Sequence, residues 1–308
     1  METQLIAALR RRLPSHAALL LGPGDDAALL QLAASGQALV TVDLLTDSVD
    51  FQLDRVDPRR VGHKALAVNL SDIAAMAGRP MAAFVAVALP RRGGQKLAME
   101  LFDGMLPLAE RYHVTIAGGD TNSWDGPLVI SITVVGEPTA RGTLRRGGAR
   151  ASDLLVATGS FGGSILGRHF DFLPRVDEAL VLHERYELHA GIDVSDGLAL
   201  DGSRLAQESG VGLVIHTAAV PMAPAAHEWA AQLADGSTPL DHALADGEDF
   251  ELLLAVPPEE ARRMVAQRPV EAPLTIIGEF IAERGLWQLD SAGTKSPLEP
   301  RGYQHRLD

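Results

Sequence analysis

Six aspartates recur along this chain near glycine, serine or threonine and next to an apolar run: Asp26, Asp43, Asp72, Asp120, Asp193 and Asp196. The first stands in Gly22-Pro23-Gly24-Asp25-Asp26-Ala27-Ala28, where two adjacent carboxylates sit between glycines and small apolar residues. Neighbouring carboxylates repel, and they lose hydration if a fold draws them inward, so such a turn needs a counter-charge. A plain surface turn is the competing reading of any one of these aspartates; their recurrence favours a metal site. Thr41 and Ser195 add neutral oxygens, and neither histidine nor cysteine belongs to the set. Oxygen-only donors suit magnesium, which takes a few carboxylates and completes its shell with water and substrate phosphate. So many carboxylates imply more than one ion. An acidic cleft with several magnesium ions fits phosphoryl transfer from a nucleoside triphosphate, in which catalysis is mostly positioning and charge neutralisation.

For these side chains to meet, strand ends, turns and a helix must converge. Ala28 to Leu32 and Ala38 to Asp43 read as short strands, the second ending on a carboxylate, and Leu44 to Phe51 reads as a polar loop that contains Asp50. Asp57-Pro58 supplies the N-cap and first-turn proline of a helix running to Met76 and stopped at Gly78. Its segment Ala67 to Gly78 is apolar or small apart from Asn69, Ser71 and Asp72. The helix is therefore expected to be buried nearly all round, with Asn69 and Asp72 projecting from one face. Met81 to Leu89 reads as a buried strand and Gln95 to Tyr112 as a helix, while a strand Val114 to Ala117 delivers Gly118-Gly119-Asp120-Thr121. Leu128 to Gly136 is a further strand.

The second half repeats the order strand, Gly-containing turn, helix, strand. Asp153 to Ala157 leads into Thr158-Gly159-Ser160-Phe161-Gly162-Gly163-Ser164, whose glycines could offer backbone N–H groups to a phosphate, although the Gly-Lys-Ser/Thr ending of a P-loop is absent. Glu178 to His189 is amphipathic. In Gly191-Ile192-Asp193-Val194-Ser195-Asp196-Gly197 the alternation sets Asp193 and Ser195 side by side ahead of a helix reaching Ser209. Asp246 to Leu252 packs four carboxylates into seven residues before a strand ending near Val256. Strands at Val211 to His216 and Leu274 to Ile281, a partly helical Pro221 to Leu233 and a helix Glu259 to Gln267 complete the reading. Arg141, Arg145, Arg146 and Arg150 gather between the halves, and the boundary is placed there: domains 1–145 and 146–308.

At 308 residues, 46% hydrophobic and 22% charged, the chain suits two α/β domains, each with its own core. A formal charge of −13 argues against a nucleic-acid or anionic-membrane surface. The absence of cysteine excludes disulfides, thiolate zinc sites, iron–sulfur clusters and thiol nucleophiles, and points to the cytoplasm. Leu5, Ile6, Leu9 and Leu13 have helical spacing with their positive charge following them, the reverse of a signal peptide, and no apolar run approaches the roughly 20 residues of a membrane span.

Five motifs in fixed order carry a resemblance: Gly24-Asp25-Asp26-Ala27-Ala28, Asn69-Leu70-Ser71-Asp72-Ile73-Ala74-Ala75-Met76, Gly118-Gly119-Asp120-Thr121, Asp193-Val194-Ser195-Asp196-Gly197-Leu198 and Gly247-Glu248-Asp249-Phe250-Glu251-Leu252. From about Leu20 to Tyr303 the chain resembles the thiamine-monophosphate kinase family of the aminoimidazole ribonucleotide synthetase-like superfamily. The resemblance implies two α/β domains whose N-terminal sheet pairs across a homodimer, with ATP and thiamine monophosphate as substrates and direct in-line transfer without a phospho-enzyme. It implies Asp26, Thr41, Val42, Asp43, Asp72, Asp120, Asp193 and Asp196 as magnesium ligands, Val42 through its carbonyl alone. Gly119, Asp120, Arg146 and Ser195 would meet the nucleotide, and Asp50, Glu248 and Tyr303 the thiamine phosphate, with Asp43, Asp72, Asp120 and Arg146 taking part in catalysis. Asp25 is left to support the turn. Two stretches depart from the family pattern: Asn122-Ser123-Trp124-Asp125 lacks an expected basic residue, and Leu173-Pro174-Arg175-Val176 keeps part of a proline–arginine motif. Sibling enzymes that rely on cysteine are excluded; an ATP-dependent cyclo-ligase of the same superfamily and a non-catalytic nucleotide or thiamine phosphate binder are the alternatives.

Overall fold

The computed structural model describes residues 19–21, 25–32 and 36–305. The helix expected around Leu5 to Leu13 and the glycines Gly22 and Gly24 lie outside the described residues. A first sheet takes β1 (Leu19–Leu21), β2 (Ala28–Gln31), β3 (Gln37–Thr46), β4 (Arg79–Pro90), β5 (Thr115–Trp124) and β6 (Val129–Glu137) in the order β1-β2-β3-β6-β4-β5. Its one parallel pair among the described residues, β4 with β5, is joined by a helical crossover. A second sheet follows: β7 (Leu154–Thr158), β8 (Ala190–Asp193), β9 (Gly212–His216), β10 (Leu252–Val256), β11 (Leu274–Ile281), β12 (Gly285–Leu289) and β13 (Lys295–Pro297), ordered β13-β12-β9-β11-β7-β10-β8. The helices are α1 (Pro58–Ala75), α2 (Gly94–Arg111), α3 (Arg168–Asp171), α4 (Val176–Arg185), α5 (Leu198–Ser209), α6 (Pro224–Leu233), α7 (Pro239–Ala245) and α8 (Pro258–Gln267). No described helix is long and apolar enough to cross a membrane.

Helix α1 is common to both halves: it packs on β3 and β6 of the first sheet, on β8 of the second, and along α2. Asp57 caps its start by accepting from the Arg59 N–H at 2.9 Å. At its end Ala77 turns left-handed, at φ 49°, and Gly78 N–H donates to Ile73 O at 2.9 Å, satisfying a terminal carbonyl. The approach of α2 is closer than side chains allow. A Cβ at Gly62 would lie 2.0 Å from Leu101 O, and one at Gly104 would lie 1.8 Å from Arg59 O.

Three expectations need correction. Asp43 does not end its strand, because the ladder with β6 continues from Leu39–Gly136 to Thr46–Val129. Residues 44–46, expected in a loop, are therefore strand. β4 is buried on one face only: Met81 and Phe84 are 49% and 43% exposed, since no described element covers that side. Gly118 to Thr121 lie within β5 rather than after it, on the edge of the sheet. β12, β13 and α7 were not anticipated; they are short segments without a full period of apolar residues.

Candidate active site

The last turn of α1, the end of β8 and the turn before β2 converge beneath β3. Asp26, Asp72 and Asp193 each offer an oxygen within 4.8 Å of the others. The Thr41 hydroxyl, from β3, donates to Asp72, and Ser71 donates to Asp193 at 2.6 Å. Burial pushes Asp72 well above the usual carboxylate range, and the charges of Asp43, Asp193 and Asp26 push it further. Asp193 is raised by burial and then by Asp26. Asp43, one pleat along β3 from Thr41, is raised to about 6 by burial and by Asp50, and its Oδ2 is buried without a hydrogen-bond partner. Like charges held this close resist ionising together unless a cation joins them. An oxygen-only cluster with an orphaned carboxylate oxygen beside it fits a hard dication such as magnesium. Asn69 does not add to it by its amide nitrogen, which turns back to Ala65 O at 3.0 Å.

Arg146 from the inter-sheet segment is the cation beside the cluster. Its Nη2 donates to Asp26 Oδ1 at 2.6 Å, and its backbone N–H donates to Asp25 Oδ2 at 3.1 Å. Asp25 also accepts from the Asp26 N–H at 3.0 Å, so it braces the turn and the linker; burial and the adjacent Asp26 raise it to about 6.

Next to the cluster a cleft of about 360 Å³ is lined by Asp43, Asp50, Ser195, Asp196, Glu248 and Tyr303, among others. Asp196 faces this cleft rather than the three-carboxylate cluster. Arg204 of α5 donates to its Oδ2 at 2.5 Å and to Asp201 at 2.7 Å, while Asp201 accepts from the Asp196 and Gly197 N–H groups at 2.8 and 3.0 Å. The Asp196 carbonyl in turn accepts from Tyr303 N–H at 2.9 Å, which seats the C-terminal tail at the cleft.

Two residues that hold the cleft residue Glu248 escaped the sequence reading: Lys64, which lines the cleft, and His169 beside it. Lys64 of α1, 1% exposed, donates to Glu248 Oε1 at 2.5 Å and to the Asp50 carbonyl at 2.9 Å. His169 Nδ1 lies 2.6 Å from Glu248 Oε2. Burial works against the Glu248 charge, but His169 and Lys64 outweigh it and hold the carboxyl below its usual value. The available signal was a lysine at the head of the apolar run Ala65-Leu66-Ala67-Val68.

Other assigned residues are not brought to the cluster. Across the first sheet Leu44, Ser131, Ala86 and Asp120 stand in one row. Partners in register point to the same face, so Asp120 shares the outer face with exposed Leu44, opposite to Asp43. It also lies three strands from β3, roughly 14 Å at ~4.8 Å per strand. Within one chain, then, Asp120 does not meet Asp26, Asp72 and Asp193. Val42, 62% exposed, likewise turns its side chain outward. Gly119 is demanded by its own sheet: at φ 156° a Cβ there would fall 1.8 Å from Val85 O.

The glycine turn after β7 is not a free phosphate cradle either. Gly162 N–H donates to both oxygens of Asp249 at 3.0 Å, and Gly163 N–H to Asp246 at 2.9 Å. Asp249 also accepts from Ser164 at 2.5 Å, and burial raises it to about 7. Glu251 accepts two bonds from Arg175, at 2.7 and 2.8 Å, and one from Arg168 at 3.1 Å. Of the four carboxylates before β10, then, Glu248 reaches for the cleft while Asp249 and Glu251 hold the second half together, and the partial motif at Arg175 belongs to that scaffold.

Residues 24–137 match the AIR synthase related protein N-terminal domain, and residues 134–286 match the corresponding C-terminal domain. With the two sheets and the carboxylate-lined cleft, these matches define an AIR synthase related protein. The thiamine-monophosphate kinase of Rhodopirellula baltica is 39% identical over 312 residues, covering 99% of this chain and 97% of its own. That of Bacillus subtilis is 32% identical, covering 99% of each. The solved structure of AaThiL complexed with AMPPCP and TMP superposes with a TM-score of 0.84 at 28% identity, over 99% of this chain and 97% of its own. The chain belongs to the thiamine-monophosphate kinase family.

Proposed function

We propose that this chain transfers the γ-phosphoryl group of ATP to the phosphate of thiamine monophosphate, giving thiamine diphosphate and ADP by direct in-line attack. The observation that carries this reading is the carboxylate cluster drawn from both halves of the chain, beside a cleft lined by Asp50, Glu248 and Tyr303. Asp26, Asp72 and Asp193, with Thr41 and Asp43 beside them, would hold magnesium, which when bound supplies neutralisation of polyphosphate charge. Arg146 stands where it can exchange Asp26 for a phosphate oxygen and stabilise charge on the group in flight. Ser195 and Asp196 border the same space. Tyr303 offers an aromatic face to the cationic part of the acceptor. A phosphate monoester has its second pKa near about 6, so the attacking oxygen is already ionised and needs no general base.

In this reading residues 1–145 form the ATP- and magnesium-binding and dimerisation domain and residues 146–308 complete the cleft, adding Asp193 to the metal cluster and Arg146 and Ser195 to the phosphate side, in a cytoplasmic protein. Two copies pair through the outer face of the first sheet, whose Val42, Leu44 and Phe84 are 62%, 62% and 43% exposed. Gly119 and Asp120 belong to the same sheet edge, and pairing is how Asp120 would meet a phosphate-binding cleft that its own chain denies it.

The test is to incubate the protein with magnesium, ATP and thiamine phosphate and to measure thiamine diphosphate. Wild type should turn over, and Asp72→Asn should lower kcat by about 100-fold or more, the scale of losing one charge-stabilising group. Absence of product, or equal rates in the variant, overturns the assignment.

A further inference from the structure

Glu248 and Asp50, two of the three residues proposed to meet thiamine phosphate, are tied to one buried ammonium. Lys64 comes from the first half of the chain and Glu248 from the second. The Lys64 Nζ donates at 2.5 Å to the Glu248 carboxylate and at 2.9 Å to the Asp50 carbonyl. His169 Nδ1 sits 2.9 Å from Nζ and 2.6 Å from Glu248 Oε2. An ionised carboxylate has no proton to give, so Nδ1 is assigned as the protonated nitrogen, donating to Glu248, and its approach to Nζ is then a contact between two donors that share Glu248 and not a hydrogen bond. Each Glu248 oxygen thus has one fixed donor. A carboxylate accepts about four hydrogen bonds, and the Glu248 side chain is 31% exposed toward the cleft, so acceptor positions are left for a ligand.

The surroundings hold this arrangement from both sides. Glu248 and Phe250 both have left-handed backbones, at φ 54° and 50°, a conformation that non-glycine residues keep only when their neighbours impose it. Glu248 N–H donates to Ser195 O at 2.7 Å and Phe250 N–H to Val194 O at 2.8 Å, while the Phe250 ring stacks on Phe172 with centroids 4.1 Å apart. On the other side Arg60 of α1 grips α3 through Asp171 at 2.9 Å and Gly167 O at 3.1 Å, which fixes His169 over α1.

We propose that Lys64, supported by His169, is the positioning residue of the acceptor subsite. It sets the Glu248 carboxylate in one rotamer, ionised and with open lone pairs, to accept from the amino group of the aminopyrimidine ring of the phosphorylated acceptor. The proposal deepens the kinase reading above and rests on it. Lys64 touches neither the cluster of Asp26, Asp72 and Asp193 nor Arg146 through any hydrogen bond described here, so its effect falls on the acceptor and not on the nucleotide.

Steady-state kinetics of Lys64→Met, Glu248→Gln and the double variant test this. Lys64→Met keeps the length of the stem and removes the charge. It should raise KM for thiamine phosphate by about tenfold or more while KM for ATP stays within about twofold, the pattern of a lost binding contact on one substrate. The double variant should be no worse than the worse single variant, because what Lys64→Met leaves behind is a Glu248 carboxylate that has lost its ammonium partner, and Glu248→Gln removes that charge. An unchanged KM for thiamine phosphate, an equal rise for both substrates, or multiplying effects in the double variant overturns the proposal. If Lys64→Met does not fold, His169→Gln, which removes the donor to the other Glu248 oxygen, carries the same KM comparison. Failure of the kinase reading is separately visible: wild type then makes no thiamine diphosphate, and the proposal falls with it, whereas wild-type turnover with an unmoved KM sinks the proposal alone.

Discussion

Burial and neighbouring carboxylates make Asp72 and Asp193 hold their protons more tightly than an unfolded chain would. Their folded values are raised above the ordinary 3.8, as is Asp43 to about 6, so without metal their contribution to stability is full below pH 3.8. It declines as the pH rises, and for Asp43 that loss is largely complete once the pH has passed 6. Magnesium takes the deprotonated form, so its stabilisation grows with pH over the same range. Thermal melts with and without magnesium should show a larger magnesium-induced shift at pH 8 than at pH 5.5; an equal or inverted difference contradicts the cluster as the metal site. Most of these residues were legible beforehand, because carboxylates beside glycine and serine are rare company for an apolar run. Lys64 and His169 were not. A lysine in a helix reads the same whether its amine reaches solvent or is buried on a carboxylate 184 residues away, and only the fold decides.

At the scale of elements, α1 was readable from its cap and proline and most other long elements from their apolar spacing, while α7 with its Thr238 cap, the uncovered face of β4 and the continuation of β3 and β5 were not. An apolar face awaiting a partner has the composition of a buried one, and strand length depends on the neighbour that extends the ladder. The contact of α1 with α2 is the most exacting of the element packings described. Gly62→Ala places a methyl 2.0 Å from Leu101 O, where only backbone can yield. It should cost about 1–3 kcal/mol, the usual range for overpacking, measured by urea unfolding, and a variant as stable as wild type would mean that the helices have room to part.

At the scale of the molecule, the first sheet has one face on α1 and the other open. Phe84→Glu puts a charge in the middle of that open apolar face. Light scattering should find wild type as a dimer and the variant as a monomer with reduced turnover, since Asp120 would lose the second copy it is proposed to serve. A wild type that is monomeric at assay concentration removes that role from the sheet. The two-sheet plan was visible in the repeated order of elements and in the five spaced motifs. What the sequence concealed was the sharing of α1 between the sheets, which follows from contacts between residues far apart in the chain.

That sharing makes α1 a ruler. Lys64 and Asp72 are eight residues apart on one rigid rod, about 12 Å along its axis at 1.5 Å per residue. One of the two holds Glu248, the anchor proposed above for the organic part of the acceptor, and the other sits in the carboxylate cluster proposed to face phosphate. On the proposed reading, the distance between a molecule's ring and the point where its phosphate is extended would be gauged by helix geometry, with no moving part needed to measure it.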